Sequence, residues 1–162
     1  MFDVMSEKIK TVTELSTTLS ARRTRGERLV FTNGCFDLLH IGHIRYLQEA
    51  RTLGDCLIVG INSDDSVRAI KPNGRPIVPQ TQRAEVVAAL ACVDYVIIFD
   101  EPDPRALIKT IQPDVLVKGG DWQIEQVAGR DIVQARGGRV VIIPLVPDVS
   151  TTTLVQRIQT LT

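Results

Sequence analysis

Along the chain, apolar positions recur with two alternating periods. Residues 8–22 carry Ile9, Val12, Leu15 and Leu19 at helical spacing, which predicts a leading helix. A polar, arginine-rich link of residues 22–28 follows, read as a solvated connector. Residues 29–31 form an apolar run that predicts a buried strand, closed by the turn pair Asn33-Gly34. Ile44, Leu47 and Ala50, with Tyr46 and Leu53 alongside, then predict a helix starting near Ile41 and ending at Gly54-Asp55.

The alternation continues to the end of the chain. Residues 56–61 predict a second strand, and residues 62–65 supply caps for a short helix through Ile70. Residues 71–79 hold three prolines, a glycine, a lysine and an arginine, and predict an irregular loop fit to cover a site. Beyond it the pattern predicts a helix over 81–91, a strand over 95–99, a helix over 104–111 and a strand over 115–117. A turn over 118–122, a helix near 127–135, a strand over 140–143 and a helix over 150–161 complete it. Strands alternating with helices predict an α/β domain: a doubly wound, Rossmann-like parallel sheet of about five strands with helices on both faces. The division expected is an N-terminal helix and linker over 1–27 and one domain over 28–162.

Composition narrows the classes. At 162 residues and 44% hydrophobic content the chain can bury one substantial core. A formal net charge of zero gives no support for nucleic acid or a membrane surface as partner. The cysteines, Cys35, Cys56 and Cys92, are too few and scattered for a disulfide framework, and there is no C-x-x-C pair for zinc. The start of the chain lacks the apolar run of a signal peptide, and its longest apolar stretch, residues 140–146, is far short of a membrane span. The expected setting is a reducing cytoplasm.

The candidate chemistry sits where the first strand meets its helix. His40 and His43 are the only histidines, and three-residue spacing at a helix mouth lets both imidazoles face one point. Free backbone N–H groups and the helix dipole make that point suited to phosphate. Gly42 between them is expected to let a ligand approach the backbone. In doubly wound sheets, ligands bind beyond the carboxyl ends of the strands at the switch in strand order, so position and motif agree. Neither G-x-G-x-x-G after the first strand nor a P-loop is present, nor H-E-x-x-H. A metal held by both histidines would need a third ligand, and Asp37 is the nearest candidate.

The string TNGCFDLLHIGHIRYLQEA resembles the HxGH nucleotidyltransferases, in their cytidylyltransferase-like branch. With LIVGINSDDSV, GRPIVP, RAEVVAAL, PDVLVKGGDW, GGRVVIIPLV and STTTLVQRI, the similarity covers most of the chain and extends to the heptose-1-phosphate adenylyltransferases. That resemblance implies transfer of AMP from ATP, carried with Mg²⁺, to a sugar 1-phosphate. The products would be ADP-heptose, which feeds lipopolysaccharide core synthesis, and pyrophosphate. It implies His40, His43 and Lys71 as catalytic groups. It implies a nucleotide site of Asn33, Gly34, Cys35, Phe36, Lys118, Gly119, Asp121, Trp122, Ser150, Thr151 and Thr152. Asp37, Arg75 and Arg83 are expected to contact phosphate or acceptor, and no residue is assigned to metal. It further implies a homodimer, with a separate heptose kinase upstream. The alternatives are a cytidylyltransferase for glycerol 3-phosphate and a nucleotide-binding regulatory module without catalysis. Two departures stand out: Pro147-Asp148-Val149 replaces a segment that commonly holds glycine, and Lys71-Pro72-Asn73-Gly74 replaces a common Lys-Gly.

Overall fold

Five parallel strands in the order β3-β2-β1-β4-β5 form the centre of the molecule. They are β1 (Leu29–Gly34), β2 (Cys56–Asn62), β3 (Tyr95–Phe99), β4 (Val115–Gly119) and β5 (Arg139–Ile143). The chain winds outward through β1, β2 and β3, then crosses back to place β4 on the other side of β1. The order therefore reverses between β1 and β4, and a crevice opens there beyond the carboxyl ends of the strands. The structure is a computed structural model and describes residues 7–72, 74–120 and 122–161.

Seven helices surround the sheet among the described residues: α1 (Val12–Thr24), α2 (Ile41–Arg51), α3 (Asp64–Ile70), α4 (Gln80–Ala88), α5 (Arg105–Ile111), α6 (Arg130–Ala135) and α7 (Thr151–Gln159). Side chains alternate along each strand, so each face has its own apolar layer. Val30, Val59, Val115 and Val117 meet Tyr46, Leu47 and Ala50 of α2 and Ala84 and Val87 of α4. Leu29, Phe31, Ile58 and Leu116 meet Leu15 and Leu19 of α1, Leu107 and Ile108 of α5 and Val133 of α6. This is the doubly wound α/β fold that the hydrophobic pattern predicts.

Several boundaries differ from the pattern, each for a visible reason. The first helix begins at Val12, not residue 8. Thr11 and Glu14 form a reciprocal capping box there, while Ile9 pairs with Val96 beside β3. Asn33-Gly34 is not a turn: the parallel ladder continues through it, opposite Gly60 and Ile61. Lys118 and Gly119 likewise extend β4, opposite Ile142 and Ile143. The helix expected near 127–135 begins only at Arg130, and a separate 3₁₀ turn over Ile124–Gln126 precedes it. Gly129 separates them at φ 84°, where a side chain would also collide with Ile108. The helix expected over 81–91 runs from Gln80 to Ala88, and Pro104 caps α5 rather than entering it. No helix among the described residues is long and apolar enough to cross a membrane.

Candidate functional site

β1 delivers the chain to the switch point, and the turn after it leads into α2. His40 is the N-cap of α2 in extended conformation, with no side-chain capping bond, and His43 lies one turn in. The two imidazoles stack, with centroids 3.9 Å apart and planes 25° from parallel. Phe36 supports them from beneath, its ring 5.3 Å from that of His43.

Gly42 has a different role from the one expected. A side-chain carbon at that position would stand 2.9 Å from both Cε1 and Nδ1 of His40. The glycine makes room for the His40 ring itself and thereby permits the stack. Near-parallel rings also do not converge their lone pairs on one ion, which disfavours the two-histidine metal site.

The electrostatics of the pair follow from burial. Desolvation lowers the His40 pKa, and desolvation together with the His40 neighbour pushes His43 down to about 4. Both rings are therefore neutral at pH 7, and each can donate one N–H. His40 Nδ1, His43 Nδ1 and Asn33 Oδ1 are buried and have no hydrogen-bond partner among the described residues. Buried polar atoms in native proteins are nearly always paired, so these three, beyond the carboxyl end of β1, mark a candidate polar site.

A second helix mouth opens alongside. Ser150 caps α7, its hydroxyl accepting from Thr153 N at 3.0 Å. Thr151 Oγ1 donates to Leu38 O at 3.3 Å, which ties the start of α7 to the turn before the histidines. Val149 lies against the Gly42 position. Asp148 adopts φ 59°, the left-handed conformation that favours glycine and that aspartate tolerates better than most residues. This accounts physically for an aspartate in the segment where glycine is common.

Other expected site residues divide. Lys118, the next-to-last residue of β4, is half-buried, and desolvation lowers its pKa. Gly119 follows it, and Trp122 is 51% exposed near the same rim. Asp121 and Asn73 lie outside the described residues. Lys71 is exposed at the C-cap of α3, its N–H bonded to Val67 O. Burial raises the pKa of the half-buried Cys35 thiol, with the positive charges of Lys71, Arg83 and Arg75 opposing it. Gly34 ends β1, and Thr152 is exposed in the first turn of α7.

Four of the expected site residues have their side chains engaged within the protein. Phe36 is buried, and its ring packs against that of His43. Asp37 is 5% exposed, and its carboxylate accepts from Ile77 N and Val78 N at 2.8–3.0 Å. Arg75 lies on that same carboxylate, Nε 2.8 Å from Oδ2, though its N–H is not directed along that line. Arg83, expected to meet phosphate or acceptor, is buried instead. Its guanidinium donates to Val78 O, Cys35 O, Asn62 O and Asp64 Oδ1. Asp37 and Arg83 thus hold protein segments together.

Sequence reasoning missed one polar pair beneath the site. The Tyr46 hydroxyl and Thr32 Oγ1 are 2.5 Å apart in the core, and burial raises the phenol pKa well above its usual value. Tyr46 falls on the apolar stripe of α2, so nothing local marks it as polar.

Stacked neutral imidazoles, buried unpaired polar atoms and two adjacent helix N-termini gather at the switch point, where doubly wound folds bind ligands. Residues 31–157 match the family described as cytidylyltransferase-like. The chain belongs to that family, and it is an enzyme of the nucleotidyltransferase class. It is 54% identical over 153 residues to the "Bifunctional protein HldE" of Geotalea uraniireducens, covering 94% of this chain and 31% of that protein. The protein of the same name from Citrifermentans bemidjiense is 52% identical over 151 residues, again with 31% of its length covered. The chain thus spans about a third of the length of the curated relatives it matches. Among solved structures, the lipopolysaccharide core biosynthesis protein of Thermoplasma volcanium superposes with TM-score 0.61 at 30% identity, over 75% of this chain and 98% of that one. Pantothenate synthetase from Thermus thermophilus shares the fold at 16% identity and TM-score 0.60, over 86% of this chain and 62% of that one.

Proposed function

We propose that this chain transfers AMP from ATP to heptose 1-phosphate, giving ADP-heptose for the lipopolysaccharide core and releasing pyrophosphate. An oxygen of the sugar phosphate attacks the α-phosphorus in line. The bond from that phosphorus to the α–β bridging oxygen breaks, and pyrophosphate carries away the electron pair. The phosphate is already a nucleophile, so no activated serine or cysteine is required. The barrier lies in positioning and in charge growing on the phosphate oxygens.

The observation that carries this reading is the neutral, stacked pair of His40 and His43 with unpaired nitrogens at the mouth of α2. Each ring, as a neutral imidazole, donates its one N–H to a triphosphate oxygen. The N-terminus of α7, with Ser150, Thr151 and Thr152, receives the far phosphates. Lys71 comes onto the α- or β-phosphate as a point charge. Lys118, Gly119 and Trp122 take the nucleoside side, with the backbone of 33–36 below it.

Mg²⁺ travels with the triphosphate in this reading and screens its oxygens. No group of three or more metal-ligating side chains occurs among the described residues. Asp37, the carboxylate nearest the histidines in sequence, is already engaged by Ile77, Val78 and Arg75. The likeness to a lipopolysaccharide core biosynthesis protein supports a lipopolysaccharide sugar phosphate over glycerol 3-phosphate as the acceptor. A preceding kinase reaction supplies the anomeric phosphate, and the active assembly is a homodimer.

Pyrophosphate release tests the reading. ATP and CTP are each paired with heptose 1-phosphate, glycerol 3-phosphate and heptose 7-phosphate. Release only with ATP and heptose 1-phosphate is expected, with an ADP-sugar seen by phosphorus NMR. Release with CTP and glycerol 3-phosphate would replace this reading with a cytidylyltransferase. ATP binding without release from any pair would leave a regulatory module.

A further inference from the structure

The loop over 71–79 has the look of a free cover in sequence, but the structure ties it down from both sides. At its far end, Ile77 N and Val78 N donate to Asp37, three residues before His40. Val78 O accepts from Arg83 Nε at 2.9 Å. The same guanidinium reaches Cys35 O at 2.5 Å, in the turn that leads to the histidines, and Asn62 O at 2.9 Å, at the end of β2. Its remaining fork holds Asp64 Oδ1 at 2.7 Å, at the start of α3. Asp64 N is held in turn by Gln80 Oε1 at 2.7 Å. Lys71 closes the last turn of α3 through its N–H to Val67 O.

From these contacts we propose that Asp37 and Arg83 are positioning residues for Lys71. They suspend α3 and the loop after it from the histidine turn, so the distance between Lys71 and the imidazole pair is set by one hydrogen-bonded frame. The proposal rests on the nucleotidyl-transfer reading and goes beyond it, because the polar atoms of both side chains are engaged by protein groups. The alternative assignment, that the two merely stabilise the fold, predicts losses unrelated to Lys71. Bidentate and multiple hydrogen bonds fix geometry in a way that a single contact cannot, and a displacement of about 1 Å at a reacting group can cost on the order of 10²-fold in rate.

A double-mutant cycle separates the two assignments. Asp37→Asn keeps the size of the side chain but removes its charge. We expect kcat to fall by about 10²-fold, with the KM for ATP changed by less than about threefold. In a Lys71→Ala background the same substitution should cost less than about threefold more, because the group it positions is gone. Arg83→Lys, which keeps the charge but loses the fork, should follow the same pattern. Asp37→Asn carries the test if the arginine variant does not fold.

Amide exchange at Ile77 and Val78, measured without substrate, should quicken roughly tenfold or more in Asp37→Asn, since a charge-assisted hydrogen bond is lost. An unchanged kcat would overturn the proposal, as would a full, additive loss in the Lys71→Ala background. Absence of pyrophosphate release by the unaltered chain would overturn the underlying reading instead. The two failures are distinguishable because amide exchange reports the clamp independently of turnover.

Discussion

The histidine pair and the arginine frame share one stretch of chain and treat their polar atoms in opposite ways. At the pair, His40 Nδ1, His43 Nδ1 and Asn33 Oδ1 are buried and unpaired. In the frame, Arg83 is fully buried, and each of its nitrogens meets an acceptor. A buried group without a partner costs free energy, and a fold tolerates that cost where a ligand removes it. A buried group with every partner in place specifies geometry. In the proposed function, the difference separates residues that meet phosphate from residues that hold them, although both kinds lie beside the same turn.

The comparison breaks first, and most strongly, at Arg83. Arg83→Met leaves the Asp64 carboxylate and three carbonyls without their donor, and should lower stability by about 3–5 kcal/mol. Denaturant unfolding checks this, and a loss below 1 kcal/mol would mean that the frame is dispensable.

His43→Ala is the counterpart. Turnover should drop ~10²–10³-fold, while the denaturation midpoint stays level or rises, because an unpaired buried group is removed. A folded variant with near-normal turnover would exclude a donor role for that ring. Gly42→Ala tests the stack with both imidazoles still present. The added methyl displaces the His40 ring, and kcat should fall on the order of tenfold with secondary structure unchanged by circular dichroism.

A smaller effect comes from pH. The folded-state pKa of His43, about 4, lies below the ordinary histidine value, and that of His40 is shifted the same way. Between those limits the unfolded chain binds more protons than the folded one, so stability rises with pH there. The contribution is fully present above about 6.5 and is lost as pH falls toward 4. Unfolding curves at pH 7 and pH 5, for the unaltered chain and for His43→Gln, should show a shallower pH dependence in the variant. The smallest change is expected at Asp148→Gly. It relieves a left-handed φ but frees the unfolded backbone, so stability should move by less than about 1 kcal/mol. A larger loss would give the aspartate side chain a role of its own.

The sequence by itself determined the features whose causes are local. Alternation and helical spacing gave the number and order of strands and helices and therefore the doubly wound class. His40 and His43 were legible as a site because their spacing and the helix start lie within one short string. Ser150 was legible as a cap for the same reason.

Only the tertiary structure decided what Asp37 and Arg83 do. Their partners are 40 and 48 residues away along the chain, at Ile77 and Cys35, and no local pattern encodes such a pairing. Asn33-Gly34 and Lys118-Gly119 became strand because neighbouring strands supply the ladder, overriding the turn preference of the residues. The role of Gly42 was likewise decided by what lies beside it, since a missing side chain in a sequence does not say which neighbour occupies the space. Here the neighbour is the ring of His40.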